Sequence, residues 1–273
     1  MKRTRVIRRM VFTGGALLAL LYAFPFFLVL VNSVKDKRAI RNDPLSLPAE
    51  WLWENFSEAV RRMDYWQSLA NSILITVLSV TAIIVTSSLL AYYLARNNSK
   101  FSSTTFIILV ASMIVPFQAL MIPFVGLFGQ LGILSSQISL VFFYVGFGVA
   151  MSTFLYHGFI KNIPFELDEA ASIDGASPFV TFRKIIFPML SPVTATVAII
   201  NALWIWNDFL LPSLVLYQDQ RTLPLRTYVF YGTYTSDYGL AMAGLVISMI
   251  PIIIFYFMMQ KRIIAGVSAG AVK

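Results

Sequence analysis

Residues 166–179 read ELDEAASIDGASPF and place Glu166, Asp168, Glu169 and Asp174 within nine positions of a chain that holds 13 acidic residues in all. Long apolar runs flank the segment on both sides. A chain that is 58% hydrophobic and 12% charged keeps so compact an acidic stretch in water, between runs that sit elsewhere. The flanking runs therefore decide the fold.

A soluble domain of this length would carry about a quarter charged residues. Here the mean hydropathy is +0.75, and 23 of the 273 residues are Phe. The apolar runs are long enough to cross a hydrocarbon core of about 30 Å at roughly 1.5 Å per residue. Six spans are predicted, at about 10–31, 71–95, 102–125, 138–156, 189–216 and 239–260. They must be helices, because lipid offers no partner to an open backbone and no barrel alternation is present. The fold class is all-α transmembrane, with 1–273 as a single membrane domain. Each span lacks Asp, Glu, Lys and Arg except the fifth, which holds Asp208. The first follows MKRTRVIRR, but its apolar run exceeds a signal-peptide core and no small-x-small cleavage site follows, so it is read as a helix.

Basic residues set the orientation. With both termini on one side, that side holds Lys2, Arg3, Arg5, Arg8, Arg9, Arg96, Lys100, Lys161, Arg183, Lys184, Lys261, Arg262 and Lys273 of the chain's 21 Lys and Arg. The positive-inside rule then assigns both termini to the cytoplasm. This anchoring accounts for the net charge of +8, with no need to invoke nucleic acid. The chain has no Cys, which excludes disulfide and thiol chemistry.

The opening segment thus lies in a cytoplasmic loop, 157–188. Its residues predict two short helices joined at a bend. Asn162 is placed to cap the first, with Pro164 in its first turn. Glu166, Asp168 and Glu169 then lie near the positive end of the helix dipole. Gly175 supplies the left-handed residue that ends it. Ser177 and Pro178 restart a helix that runs through Arg183 and Lys184 to Pro188. Ala170 and Ala171 leave that surface open to close approach. The residues alone support two readings, a docking knob or a solvated acidic loop.

A wider pattern separates them. EAASIDGASPFVTFRKIIFP (169–188) resembles the EAA signature of permease subunits of ATP-binding-cassette importers, with Phe187 where Leu is usual. NSILITVLSVTAIIVTSSLLAYYLAR (71–96), MIVPFQALMIPF (113–124), WIWNDFLLP (204–212) and GVSAGAVK (266–273) resemble the carbohydrate-uptake, maltose-type branch. The resemblance implies a six-helix, type I permease fold in the cell membrane of a prokaryote. It implies a second homologous permease subunit, two ATP-binding cassette subunits and an extracytoplasmic sugar-binding protein as partners. ATP and Mg would be held by the partner ATPases. Glu169, Ala170, Ala171, Asp174, Gly175, Ala176 and Pro188 match the motif and would couple the chain to the ATPase.

No Gly-Lys pair occurs, so the chain has no phosphate-binding P-loop of its own. The sole His, His157, has no second ligand nearby in sequence, and there is no nucleophile elbow. The reading is a permease subunit and not an enzyme. Its rival is an ATP-independent secondary transporter or channel, which would call for ion-coupling groups or an inverted repeat. Inside the membrane, Asp208 is the costly residue. Pro212 lacks the N–H that would bond the Asp208 carbonyl, so a break is expected there. Gln118, Tyr144, Asn201, Trp204, Asn207 and Asp208 are the candidate substrate-pathway residues, able to stack on or hydrogen-bond a sugar.

Overall fold

A computed structural model describes residues 2–231 and 237–271, with side chains over 10–260 apart from Gln218 and those of 232–236. Its elements are α-helical apart from single 3-10 and π turns: α1 (Lys2–Asn32), α2 (Lys37–Asn42), α3 (Glu54–Arg62), α4 (Tyr65–Arg96), α5 (Lys100–Ser112), α6 (Phe117–Gln130), α7 (Gln137–Ile160), α8 (Glu166–Ile173), α9 (Pro178–Thr181), α10 (Phe187–Met189), α11 (Ser191–Asn207), α12 (Leu210–Val215), α13 (Leu223–Arg226) and α14 (Tyr238–Ala271).

Among the described residues, α4, α7 and the apolar stretches Met10–Asn32 and Tyr238–Gln260 are each long and apolar enough to cross a membrane. Two further spans are bent pairs, so the total reaches six when each pair counts once. The run expected as one helix at 102–125 is two, α5 and α6, meeting at 102°. Pro116 is the cause: it offers no N–H to the Ser112 carbonyl and pushes Val115 out of the helical region. The run expected at 189–216 is also divided. α11 ends at Asn207, Asp208 is extended (φ −72°, ψ 131°), and α12 begins two residues on. That break falls at the carbonyl Pro212 leaves unbonded.

The chain forms two compact units, 1–67 with 226–251 and 68–225 with 252–273. In the first, Val34, Ala59, Met63, Phe230 and Ala243 are buried. Asn55 Nδ2 donates to the Ser33 and Lys35 carbonyls at 2.9 and 3.0 Å. A Cβ on Gly239 would stand 2.4 Å from the Lys35 carbonyl oxygen, so only glycine fits where α14 starts. Among the described side chains of α1, those from 10 to 27 are exposed, as expected of a helix facing lipid.

The second unit holds the larger core. Ile75 and Ile83 of α4, Leu140 and Tyr144 of α7, Ile186, and Val197 and Ile205 of α11 pack together. Gly148 lets α7 close on its neighbours: a Cβ there would lie 2.6 Å from Ile83 Cδ1 and 2.9 Å from Asn201 Oδ1. Small residues at helix crossings serve this purpose in membranes, where van der Waals contact drives association.

Candidate functional site

The 157–188 segment folds as an elbow. α8 starts at Pro164–Phe165, with Asp168 N–H donating to the Phe165 carbonyl at 2.9 Å. Asn162 does not cap it, contrary to expectation; its side chain donates to the Gly158 carbonyl at 3.0 Å and so closes the end of α7 instead. Gly175 has φ +79°, and the Ala176 N–H reaches back to the Ala171 carbonyl at 2.9 Å, the six-residue closure of a Schellman end. Ser177 then caps α9, accepting from the Val180 N–H at 3.4 Å, with Pro178 in the first turn. A π turn at Phe182–Ile186 follows, next to Pro188, which gives the Lys184 carbonyl no N–H. The arm Pro178–Met189 meets α11 at 78°.

The apex faces outward. Glu169, Ala170, Asp174, Gly175 and Pro188 are exposed, and Ala176 is half-buried. Ile173 beside them is 87% exposed, so the apex carries an apolar side chain among its acidic ones. Ala171 corrects the expectation of a two-alanine open face. It is buried within this chain, and its small size lets α8 lie close to its own scaffold.

What fastens the elbow was not read from the sequence. Arg96, the last residue of α4, pairs with Asp168 of α8 at 2.9 Å, both side chains nearly buried. The two terminal nitrogens of Arg96 also donate to the Ile163 carbonyl, each at 3.2 Å. Tyr92, one turn earlier, donates its hydroxyl to the other Asp168 oxygen at 2.6 Å. The guanidinium lies over the Phe165 ring, and the Tyr92 ring meets Phe182 at 5.3 Å. One helix end thus holds both limbs of the elbow. The available signal was a single Arg ending a 32-residue helix with no other charge, opposite an acidic run of otherwise unassigned partners.

A second polar cluster forms at the α11–α12 break. Tyr144, fully buried, donates to Asp208 Oδ2 at 2.9 Å. Asp208 Oδ1 accepts from the Leu210 N–H at 3.0 Å and so caps the restarted helix. Trp204 sets its ring edge-to-face on Tyr144 at 5.4 Å. Asn201, buried one turn earlier on α11, donates to Ser152 Oγ at 3.0 Å and to the Val197 carbonyl at 2.8 Å. Two candidates stand outside the cluster. Asn207 is exposed and bonds back to the Leu203 carbonyl at 2.7 Å. Gln118 is exposed in the first turn of α6, and among the described residues no hydrogen bond or ring contact joins it to the others.

With both clusters in place, the likeness to known proteins becomes specific. Residues 83–269 match the family described as binding-protein-dependent transport system inner membrane components, and the chain belongs to that family: it is a multi-pass permease of the ATP-binding-cassette transporter class. It is 42% identical, with full coverage of both chains, to a probable starch degradation products transport system permease protein, AmyC, of Thermoanaerobacterium thermosulfurigenes. It is 36% identical to the melibiose/raffinose/stachyose import permease protein MelC of Bacillus subtilis, covering 95% of this chain and 94% of that one. Its fold matches a chain of a bacterial ABC transporter that imports the acidic polysaccharide alginate, with a TM-score of 0.81 at 22% identity over 96% of this chain and 98% of the other.

Proposed function

We propose that the chain forms half of the translocation path of an ATP-driven carbohydrate importer, with an oligosaccharide as its cargo and both termini in the cytoplasm. The relatives that match it along its length are described as permeases for starch degradation products, multiple sugars and raffinose-type sugars. The observation that carries the reading is the elbow: a short helix with an exposed acidic and apolar apex, clamped to the end of a membrane span by Arg96, Asp168 and Tyr92.

In this reading Glu169, Ala170, Asp174 and Gly175 meet the surface of one of two cytoplasmic ATPase subunits, which hold ATP and Mg. Ala171 and Ala176 set how closely α8 sits on its own scaffold, and Pro188 sets the far bend. Displacement of the apex passes through the Arg96–Asp168 pair to α4 and along the 178–189 arm to α11. α11 carries Asn201 and Trp204 and leads into Asp208, where a sugar would find a ring to stack on and hydrogen-bond partners. Gln118 and Asn207 would reach the path only in another conformation. A second homologous permease completes the path, and an extracytoplasmic sugar-binding protein delivers the cargo.

Gentle purification of the tagged chain from its native membrane tests this. One related permease and two P-loop ATPase chains should accompany it. Recovery of the chain alone, still carrying solute after reconstitution without ATP, would overturn the proposal.

A further inference from the structure

The end of α4, the first turn of α5 and the last turn of α7 enclose a polar hollow of about 190 Å³. Asn97, Ser99, Ser102, Ser103, His157 and Lys161 contribute to its lining, which includes no carboxylate among the described residues. His157 carries the argument. It is only 7% exposed, and one ring face stacks on Phe106 with centroids 4.0 Å apart. Its ring nitrogens have no hydrogen-bond partner among the described residues and are not sealed from solvent, so they open onto the hollow. An imidazole always has at least one N–H to donate, and this one is free to meet a group that enters from outside the chain.

The rest of the lining says what that partner is. Lys161 lies one turn after His157 on the same face and adds a cation, its side chain exposed at the rim. Ser99 caps the 13-residue α5 by accepting from the Ser102 N–H at 3.1 Å. The Lys100 and Phe101 amides have no partner within the helix, and the dipole leaves this end positive. An ammonium, an imidazole, serine hydroxyls and a helix N-terminus suit a tetrahedral oxyanion. The depth is informative too. α4 ends at Arg96, α5 begins at Lys100 and α7 ends at Ile160, so the hollow lies at the ends of three apolar helices. Basic pockets between spans at that level take lipid headgroups.

We infer that this hollow binds a phosphate oxyanion, supplied by the headgroup of an anionic phospholipid. The hollow sits at the root of the 157–188 segment, away from its exposed apex and apart from the Tyr144–Asp208 cluster, and its lipid test reads binding without any measurement of transport.

The full chain, purified with whichever subunits accompany it, is exchanged into nanodiscs of phosphatidylcholine, or of phosphatidylcholine mixed equally with phosphatidylglycerol. Lipid retained after delipidation is quantified by mass spectrometry, and melting is followed in each disc. The wild type should retain phosphatidylglycerol in preference and melt higher in its presence. The double variant His157→Phe, Lys161→Gln keeps the ring on Phe106 but should lose that preference by about tenfold, the scale of a lost charge-assisted hydrogen bond. Lys161→Gln alone, at an exposed position, should show part of the loss and serves as the readout if the double variant folds poorly. A rise in melting temperature with inorganic phosphate in pure phosphatidylcholine, absent from the variants, would keep the phosphate chemistry and assign it to a solute. Equal retention by wild type and variants, or no response to either phosphate source, overturns the inference.

Discussion

Asp168 and Asp208 are both held by a tyrosine hydroxyl, yet they are built for opposite ends. Asp168 accepts from Tyr92 at 2.6 Å and also pairs with Arg96 at 2.9 Å, so its charge is neutralised where it stands. Asp208 accepts from Tyr144 at 2.9 Å and from backbone N–H groups of Phe209, Leu210 and Leu211, and no basic side chain pairs with it among the described residues. A carboxylate matched by a cation is a fastening. A carboxylate satisfied only by neutral donors at a helix break keeps its charge uncompensated, which is costly inside a membrane. The same side chain is thus neutralised by a cation at one place and left without one at the other.

The largest test of the joint is Gly175→Pro. Proline cannot adopt φ +79° and removes the N–H that bonds the Ser172 carbonyl at 3.0 Å. Uptake should be abolished and ATP hydrolysis by the partners uncoupled, while the chain still inserts in the membrane. Wild-type uptake by this variant would sink the coupling role. Next comes Arg96→Ala, which leaves Asp168 in a nearly buried site without its cation. A cost of about 3 kcal/mol is expected, read as a lower melting temperature, together with weakened coupling. Replacing both partners, as Arg96→Met with Asp168→Leu, should restore much of the stability but not the coupling; recovery of both would make the pair merely structural.

Tyr144→Phe probes the other aspartate and should have a smaller effect on folding, about 1–2 kcal/mol for one lost donor. If Asp208 belongs to the sugar path, this variant changes the apparent KM for uptake more than the ATPase rate at saturation. An unchanged KM would reduce the cluster to a helix-break brace.

Glu58 is the control at the exposed extreme. Hydrogen bonds from Arg61 and then Arg62 hold its carboxyl below the ordinary 4.5. With a depressed folded value, whatever the pair adds to stability is present above the ordinary carboxylate range and is lost as pH falls through the lower folded value. Being exposed and solvent-screened, it should add little. Glu58→Gln should leave melting and uptake at neutral pH indistinguishable from wild type. A large shift would mean that exposure is a poor guide to which carboxylates matter in this protein.

Much of this was legible in the amino-acid order. Six apolar runs, an acidic interruption, Gly175 and Ser177-Pro178 dictate spans and an elbow, because lipid forces backbone bonding within each segment and a left-handed turn needs glycine. The break at Asp208 followed from Pro212 four residues later. Pro116 carries the same information for the bend between α5 and α6, but a proline inside a span is often absorbed as a kink, so its position alone does not announce a 102° bend. The motif itself marked the apex, although Ala171 faces inward, a matter of which side of an eight-residue helix meets its scaffold.

Only tertiary structure could join Arg96 to Asp168 or Tyr144 to Asp208, residues 72 and 64 positions apart in the chain. The same holds for the separation of Gln118 and Asn207 from their supposed companions. Periodicity and caps are local and repeat along the sequence, so they can be read there. A pairing between distant polar groups depends on how helices cross, and that was decided by which side chains, such as the absent one of Gly148, allowed the helices to meet.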